Sequence, residues 1–187
     1  STYQSASGAS SCAVCTKGAY CPVGSTTPVP CPAGTVGSTE GLDHAEECKT
    51  CPLGYWSTDG SAHCLECGGS SAYCDVPGLD TPKLVDQGYI STPADGDPST
   101  RTGQAPCPEG AWCSAGILVF CEKGYYADKL PPEQRTSQAT CLPCPAFSTT
   151  AVLGASHITQ CMCTEGHHSH EGFCDDCKSV PGTGCSD

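Results

Sequence analysis

Nineteen cysteines fall in an order that repeats itself along 187 residues. The first run is Cys15-x5-Cys21-x9-Cys31-x16-Cys48-x2-Cys51-x12-Cys64-x2-Cys67. The second is Cys107-x5-Cys113-x7-Cys121-x19-Cys141-x2-Cys144-x16-Cys161-x1-Cys163. The residues between the cysteines agree too: Cys15-Thr-Lys-Gly-Ala-Tyr-Cys21 matches Cys107-Pro-Glu-Gly-Ala-Trp-Cys113. An ordered match of this kind marks an internal duplication.

A smaller period lies inside each copy. Glycine stands three residues after a cysteine at Gly18, Gly34, Gly54, Gly110, Gly124 and Gly166, and proline directly follows cysteine at Pro22, Pro32, Pro52, Pro108 and Pro145. Proline fixes φ as the chain leaves the cysteine, and glycine adopts conformations other residues resist. An aromatic often follows, as at Tyr55-Trp56 and Tyr125-Tyr126, and Asp59-Gly60 predicts a tight turn with positive φ at both residues. Each unit therefore reads as a strand, a turn and a return strand closed by one bridge. Cys144-Pro-Ala-Phe147 keeps the proline and loses the glycine.

An ordinary hydrophobic core is not available to this chain. Leu, Ile, Val and Phe number 24 and the net charge is −12, a combination that by itself predicts disorder. The cysteines supply the missing order as a disulfide framework, which does not persist in a reducing cytosol. The expected location is therefore extracellular or at the cell surface, through the secretory pathway. Eight basic residues against twenty acidic ones leave no electrostatic footprint for nucleic acid. The longest aliphatic run, Ala115 to Phe120, is far too short to span a bilayer, so no direct membrane insertion is expected of this segment. The sequence has no asparagine and so no N-glycosylation acceptor; Thr26, Thr27, Ser99 and Thr100, beside prolines, are candidate carriers of O-linked glycans, against the plainer reading of ordinary solvated loops.

The organisation expected is a flexible lead-in over residues 1–11, a first cysteine-rich array over 12–74, and a cysteine-free extended segment over 75–106. A second array follows over 107–163, then a hairpin and tail over 163–187. The fold class is small and disulfide-rich: an elongated array of short two-stranded hairpin modules with little helix.

The motif Cys51-Pro-Leu-Gly-Tyr-Trp…Asp-Gly…Cys64-Leu-Glu-Cys67, and the closing Gly154-Ala-Ser-His-Ile-Thr-Gln-Cys161-Met-Cys163-Thr-Glu-Gly166, resemble the ephrin-receptor-like cysteine-rich repeat, a relative of tumour-necrosis-factor-receptor modules. The likeness covers roughly residues 12–74 and 107–177. Residues 163–174 resemble the last hairpin of an epidermal-growth-factor-like (EGF-like) module. By analogy with the family hairpin, the resemblance implies the pairs Cys31–Cys48, Cys51–Cys64, Cys121–Cys141, Cys144–Cys161 and Cys163–Cys174. It extends less directly to Cys15–Cys21, Cys67–Cys74, Cys107–Cys113 and Cys177–Cys185. Cys12 is left unpaired or paired outside the chain.

Other chemistries are weighed against this framework. Cys48-x2-Cys51-x12-Cys64-x2-Cys67 has a spacing four zinc-binding thiolates can use, but the acidity and the many cysteines outside such pairs favour disulfides. His167, His168 and His170 are candidate metal ligands, against the plainer reading of a polar hairpin loop. Trp56, Trp112, Tyr20 and Tyr125-Tyr126 are either partner-binding anchors or covers for disulfides. No nucleophile elbow, phosphate loop or helix-spaced His-Glu pair is present, so neither catalysis nor a cofactor is expected. The function expected is an extracellular structural or adhesive spacer in a cell-surface coat, filament or appendage. Its partners would be other extracellular proteins or copies of itself. The alternative is the ligand-binding ectodomain of a cell-surface receptor.

Overall fold

The computed structural model describes residues 1–5, 10–93, 97, 100–170 and 173–176. Within these, strands of two to four residues pair as successive hairpins. In order, β1 (Thr2–Tyr3) pairs with β2 (Ala13–Val14), β3 (Ala19–Tyr20) with β4 (Val29–Pro30), and β5 (Thr35–Val36) with β6 (Lys49–Thr50). The next are β7 (Tyr55–Trp56) with β8 (Leu65–Glu66), β9 (Ala72–Tyr73) with β10 (Lys83–Leu84), and β11 (Tyr89–Thr92) with β12 (Gly103–Pro106). Four more follow: β13 (Ala111–Ser114) with β14 (Ile117–Phe120), β15 (Tyr125–Tyr126) with β16 (Leu142–Pro143), β17 (Ser148–Thr150) with β18 (Cys161–Cys163), and β19 (His167–His170) with β20 (Phe173–Asp176). Helix among the described residues is limited to short 3-10 turns, at Ala45–Glu47, Pro132–Gln134, Gln138–Thr140 and Ile158–Gln160, and at Thr100. The fold is thus a small disulfide-rich hairpin array. The chain divides into two compact units, Ser1–Val85 with Ser91–Gln104, and Asp86–Ile90 with Ala105–Asp187.

An isolated two-residue ladder is far below what a free hairpin needs for stability. Six of the hairpins gain further support from a backbone bond that recurs in the same place. The amide of Cys31 donates to the Gly18 carbonyl, Cys51 to Gly34, Cys67 to Gly54, Cys107 to Gly88, Cys121 to Gly110 and Cys144 to Gly124, all at 2.8 to 2.9 Å. Further bonds tie one hairpin to the next within each unit. Cys21 donates to Leu42, Ser57 to Leu79 and Ala127 to Ala155, each beside a parallel bridge at Tyr20–Leu42, Trp56–Leu79 or Tyr126–Ala155. The glycine three residues after a cysteine serves this ladder twice over. Gly34 and Gly110 have φ of 80° and 75°, and a Cβ on either would run into the carbonyl oxygen of Gly78 or Gly154 stacked against it. Both the handedness and the missing side chain are therefore used.

Where the sequence drops this glycine, the backbone does not change course. Phe147 takes φ of 62°, and its carbonyl accepts from the Thr164 amide at 2.8 Å, keeping the ladder intact. Asp59-Gly60 corrects the expected primed turn. Among the described residues, only Ala115 and Phe147 are non-glycines with positive φ, so Asp59 is not left-handed. It sits in the eight-residue loop between β7 and β8, where its carboxylate accepts the Ala33 amide at 2.8 Å. Among the described residues a tight two-residue turn lies instead at Ala115-Gly116, with φ of 48° and 75°. It closes the four-pair ladder from Ala111–Phe120 to Ser114–Ile117. A left-handed alanine costs about 1 kcal/mol relative to glycine. Ala115→Gly is expected to raise the unfolding midpoint by about that amount in a denaturant titration with disulfides intact.

Residues 75–106 carry β10 and the β11–β12 pair without any cysteine. Here Arg101 stands where Leu42, Leu79 and Ala155 stand in other modules: its carbonyl accepts from the amide of Cys74. Its guanidinium is buried and donates from Nη1 to the carbonyls of Ser91 (3.0 Å) and Pro93. In the other unit Arg135 repeats the arrangement: its carbonyl accepts from Cys113, and its Nη1 donates to the Cys107 carbonyl. The only two arginines of the chain thus donate from buried guanidinium groups to backbone carbonyls, Arg101 to two and Arg135 to one. Arg101→Met keeps the volume and removes the donors, and is expected to cost about 2 kcal/mol, because the buried Ser91 carbonyl is left without this partner. Thermal unfolding of the oxidised protein measures it.

Candidate functional site

The chemistry concentrated in the described residues is sulfur. Eight bridges are present: Cys15–Cys21, Cys31–Cys48, Cys51–Cys64, Cys67–Cys74, Cys107–Cys113, Cys121–Cys141, Cys144–Cys161 and Cys163–Cys174. Two hairpin types carry most of them. In one, the bridge runs from four residues before the first strand to the residue just before the return strand, as in Cys31–Cys48, Cys51–Cys64 and Cys121–Cys141. In the other, it starts four residues before the first strand and returns just after it in Cys15–Cys21 or within it in Cys107–Cys113. Cys177 and Cys185 lie outside the described residues. Cys12 is an exposed free thiol whose sulfur lies 3.7 Å from Gln4 Oε1.

The bridges are themselves the core. Cys15, Cys21, Cys31, Cys51, Cys74, Cys107, Cys113 and Cys121 are among the most deeply buried side chains. One larger side chain, from the preceding hairpin in most cases, lies over each cluster. Tyr3 packs on Cys15, Ala19 and Cys21; Tyr20 on Cys31, Leu42 and Cys48; Trp56 on Cys67, Ala72 and Cys74; and Trp112 on Cys121, Ala127 and Cys141. Ile90 and Leu118 do the same for Cys107–Cys113. An aromatic ring here buries apolar area that a chain short of Leu and Ile cannot find elsewhere. The tyrosine pair splits across its strand: Tyr126 is buried and Tyr125 faces solvent.

The zinc-like set Cys48, Cys51, Cys64 and Cys67 is distributed over three disulfides, so none of its sulfurs is a thiolate. His167 opens β19, stacks on Phe147 with ring centroids 4.3 Å apart, and places Nδ1 3.3 Å from Thr164 Oγ1. The side chains of His168 and His170 lie outside what is described. No group of three ligating side chains comes together among the described residues.

Electrostatics are local. His44 is held above its ordinary pKa by its hydrogen bond to the Asp43 backbone, then by the Asp43 carboxylate. Glu47 is held below its ordinary value by the amides of Asp43 and His44 that it accepts. Lys83 is raised by its 2.7 Å hydrogen bond to Asp75 at the base of the β9–β10 hairpin. Surface hollows occur in the second unit, and the two larger of those described are shallow. One of about 410 Å³ is lined by Asp128, Leu130, Gln134, Ser137 and Leu142; the other, of about 350 Å³, by Pro145, Ile158, Met162 and Ser169. Ile117, Phe120, Phe147, Val152, Leu153 and Met162 expose apolar surface in this unit. No helix among the described residues is long and apolar enough to cross a membrane.

Local bridges, a glycine–cysteine backbone ladder and aromatic lids define a class: a cysteine-rich, disulfide-bonded module of the extracellular type. Residues 119–161 match the family described as tyrosine-protein kinase ephrin type A/B receptor-like. Over those residues the chain is similar to the ephrin-receptor-like cysteine-rich repeat. It is also 31% identical over 134 residues, 70% of its length, to "Sushi, von Willebrand factor type A, EGF and pentraxin domain-containing protein 1" of Rattus norvegicus. The Mus musculus protein of that name has the same identity and coverage. "Cysteine repeat modular protein A" of Toxoplasma gondii is 27% identical over 155 residues, 74% of the chain. The chain spans 3% of the length of the first two proteins and 4% of the third.

Proposed function

We propose that this chain is a non-catalytic structural module of a secreted or cell-surface protein. It acts as a disulfide-stapled spacer within a coat, filament or appendage, and meets other extracellular proteins or copies of itself. The observation that carries this reading is the recurring ladder of cysteine amides on glycine carbonyls. The distinctive residues of the repeat, Cys, Gly and the aromatic, are spent on holding each hairpin and its neighbour in place. A module built this way can be repeated without enlarging a core.

The test has two arms. Biotinylation of intact cells is expected to label the protein without permeabilisation, and small-angle scattering of the isolated chain is expected to give a radius of gyration well above the roughly 16 Å of a compact globule of this length. Labelling only after permeabilisation, or a compact radius, would overturn the spacer reading. Saturable binding of a soluble protein, abolished by alanine at Phe120 and Tyr125, would favour the ligand-binding ectodomain instead.

A further inference from the structure

We propose that Cys12 is the closing half of a disulfide whose opening half is a cysteine three residues upstream of Ser1 in the longer polypeptide. The register of the first hairpin carries the assignment. In β7–β8 the partners are Tyr55–Glu66 and Trp56–Leu65, and in β5–β6 they are Thr35–Thr50 and Val36–Lys49. In β15–β16 they are Tyr125–Pro143 and Tyr126–Leu142. The pairing of β1 with β2, Thr2–Val14 and Tyr3–Ala13, is the same ladder, with Cys12 directly before the return strand as Cys48, Cys64 and Cys141 are in theirs.

The backbone signature agrees. The Cys15 amide donates to the Ser1 carbonyl at 3.0 Å, as Cys51 donates to Gly34 and Cys67 to Gly54. Ser1 therefore occupies the glycine position of the module. Its hydroxyl donates to the carbonyl of Cys21, the residue just after β3, at 2.8 Å. In the complete module the Gly34 amide makes the corresponding bond, to Ser57, the residue just after β7, at 2.8 Å; at Ser1 the hydroxyl takes that place and the amine donates to the Gly41 carbonyl. In each complete hairpin of this type the opening cysteine lies three residues before that glycine: Cys31 before Gly34, Cys51 before Gly54, Cys121 before Gly124. Each is bonded to its closing cysteine across a Cα–Cα distance of 5.6 to 5.8 Å. Counting back three from Ser1 fixes the place of the missing sulfur, while Cys12 is exposed and ready for it.

Formation of the bond is an ordinary thiol–disulfide exchange. The Cys12 thiol and the upstream thiol lose two protons and two electrons as their sulfurs join. A disulfide-bearing oxidant of the secretory pathway is reduced to two thiols in the same exchange.

The experiment uses the full-length protein from its source, alkylated without reduction, digested and mapped by mass spectrometry. The expected result is the Cys12 peptide linked to a peptide whose cysteine lies three residues before Ser1. An alkylated Cys12, or Cys12 linked to Cys177, to Cys185 or to Cys12 of a second copy, overturns the assignment. So does the lack of a cysteine at that upstream place. In Cys12→Ser the same map is expected to gain one alkylated cysteine, upstream of Ser1; a gain at Cys177 or Cys185, or no gain, overturns it equally. None of these outcomes bears on the partner of the mature protein.

Discussion

Gly34→Ala is expected to destabilise the first unit by at least about 3 kcal/mol. Two costs combine. A left-handed φ of 80° is unfavourable for any L side chain, by about 1 to 2 kcal/mol. The new Cβ would also run into the Gly78 carbonyl, and Gly78 has little room to retreat. Its amide is bonded to the Cys51 carbonyl at 2.9 Å, and its own φ is 77°. Relief at one hairpin must therefore disturb the neighbouring one. Gly24→Ala separates the two costs. Gly24 has nearly the same φ, 85°, and nothing within 4 Å of its added Cβ. It is expected to cost only about 1 kcal/mol. Denaturant midpoints of the two oxidised variants decide the matter; equal losses would mean that stacking at Gly34 adds nothing.

Replacing Cys121 and Cys141 together by alanine is the second large effect. The bridge spans 20 residues and is buried under Trp112. Chain entropy alone predicts a loss of about 3 kcal/mol for a loop of that size. The packing loss adds to it, because the sulfurs are themselves part of the cluster that Trp112 covers. The near-ultraviolet signal of Trp112 is expected to collapse in the variant. Full reduction with a thiol reagent is expected to unfold the protein, whereas a metal chelator leaves it intact. Loss of structure with chelator alone would require a structural metal site that none of the bridged cysteines can supply.

Several features were legible in the sequence because they rest on short-range chemistry. The Cys-x-x-Gly-aromatic spacing encodes a left-handed residue followed by a strand, and Tyr55-Trp56 and Tyr125-Tyr126 form those strands. The aromatics resting on sulfur at Trp56 and Trp112 follow from a chain too poor in Leu and Ile to cover its bridges otherwise. Other features were not legible. Asp59-Gly60 is a good local signal for a tight turn, but the Ala33 amide, 26 residues away in sequence, recruits the carboxylate into a larger loop. The real two-residue turn hid in Ala115-Gly116, since alanine is a poor left-handed residue and the run around it read as merely aliphatic. Arg101 and Arg135 counted only as positive charge. Their role as buried donors depends on carbonyls brought to them by the fold, and no linear pattern marks it.

Every described bridge joins cysteines no more than 20 residues apart. A nascent polypeptide can therefore oxidise each loop soon after it emerges, before later cysteines arrive to compete. Biosynthesis of a very long array then needs no search through the combinatorial number of pairings that nineteen sulfurs would otherwise allow. Gene duplication can lengthen such a protein one hairpin at a time, each addition maturing on its own schedule.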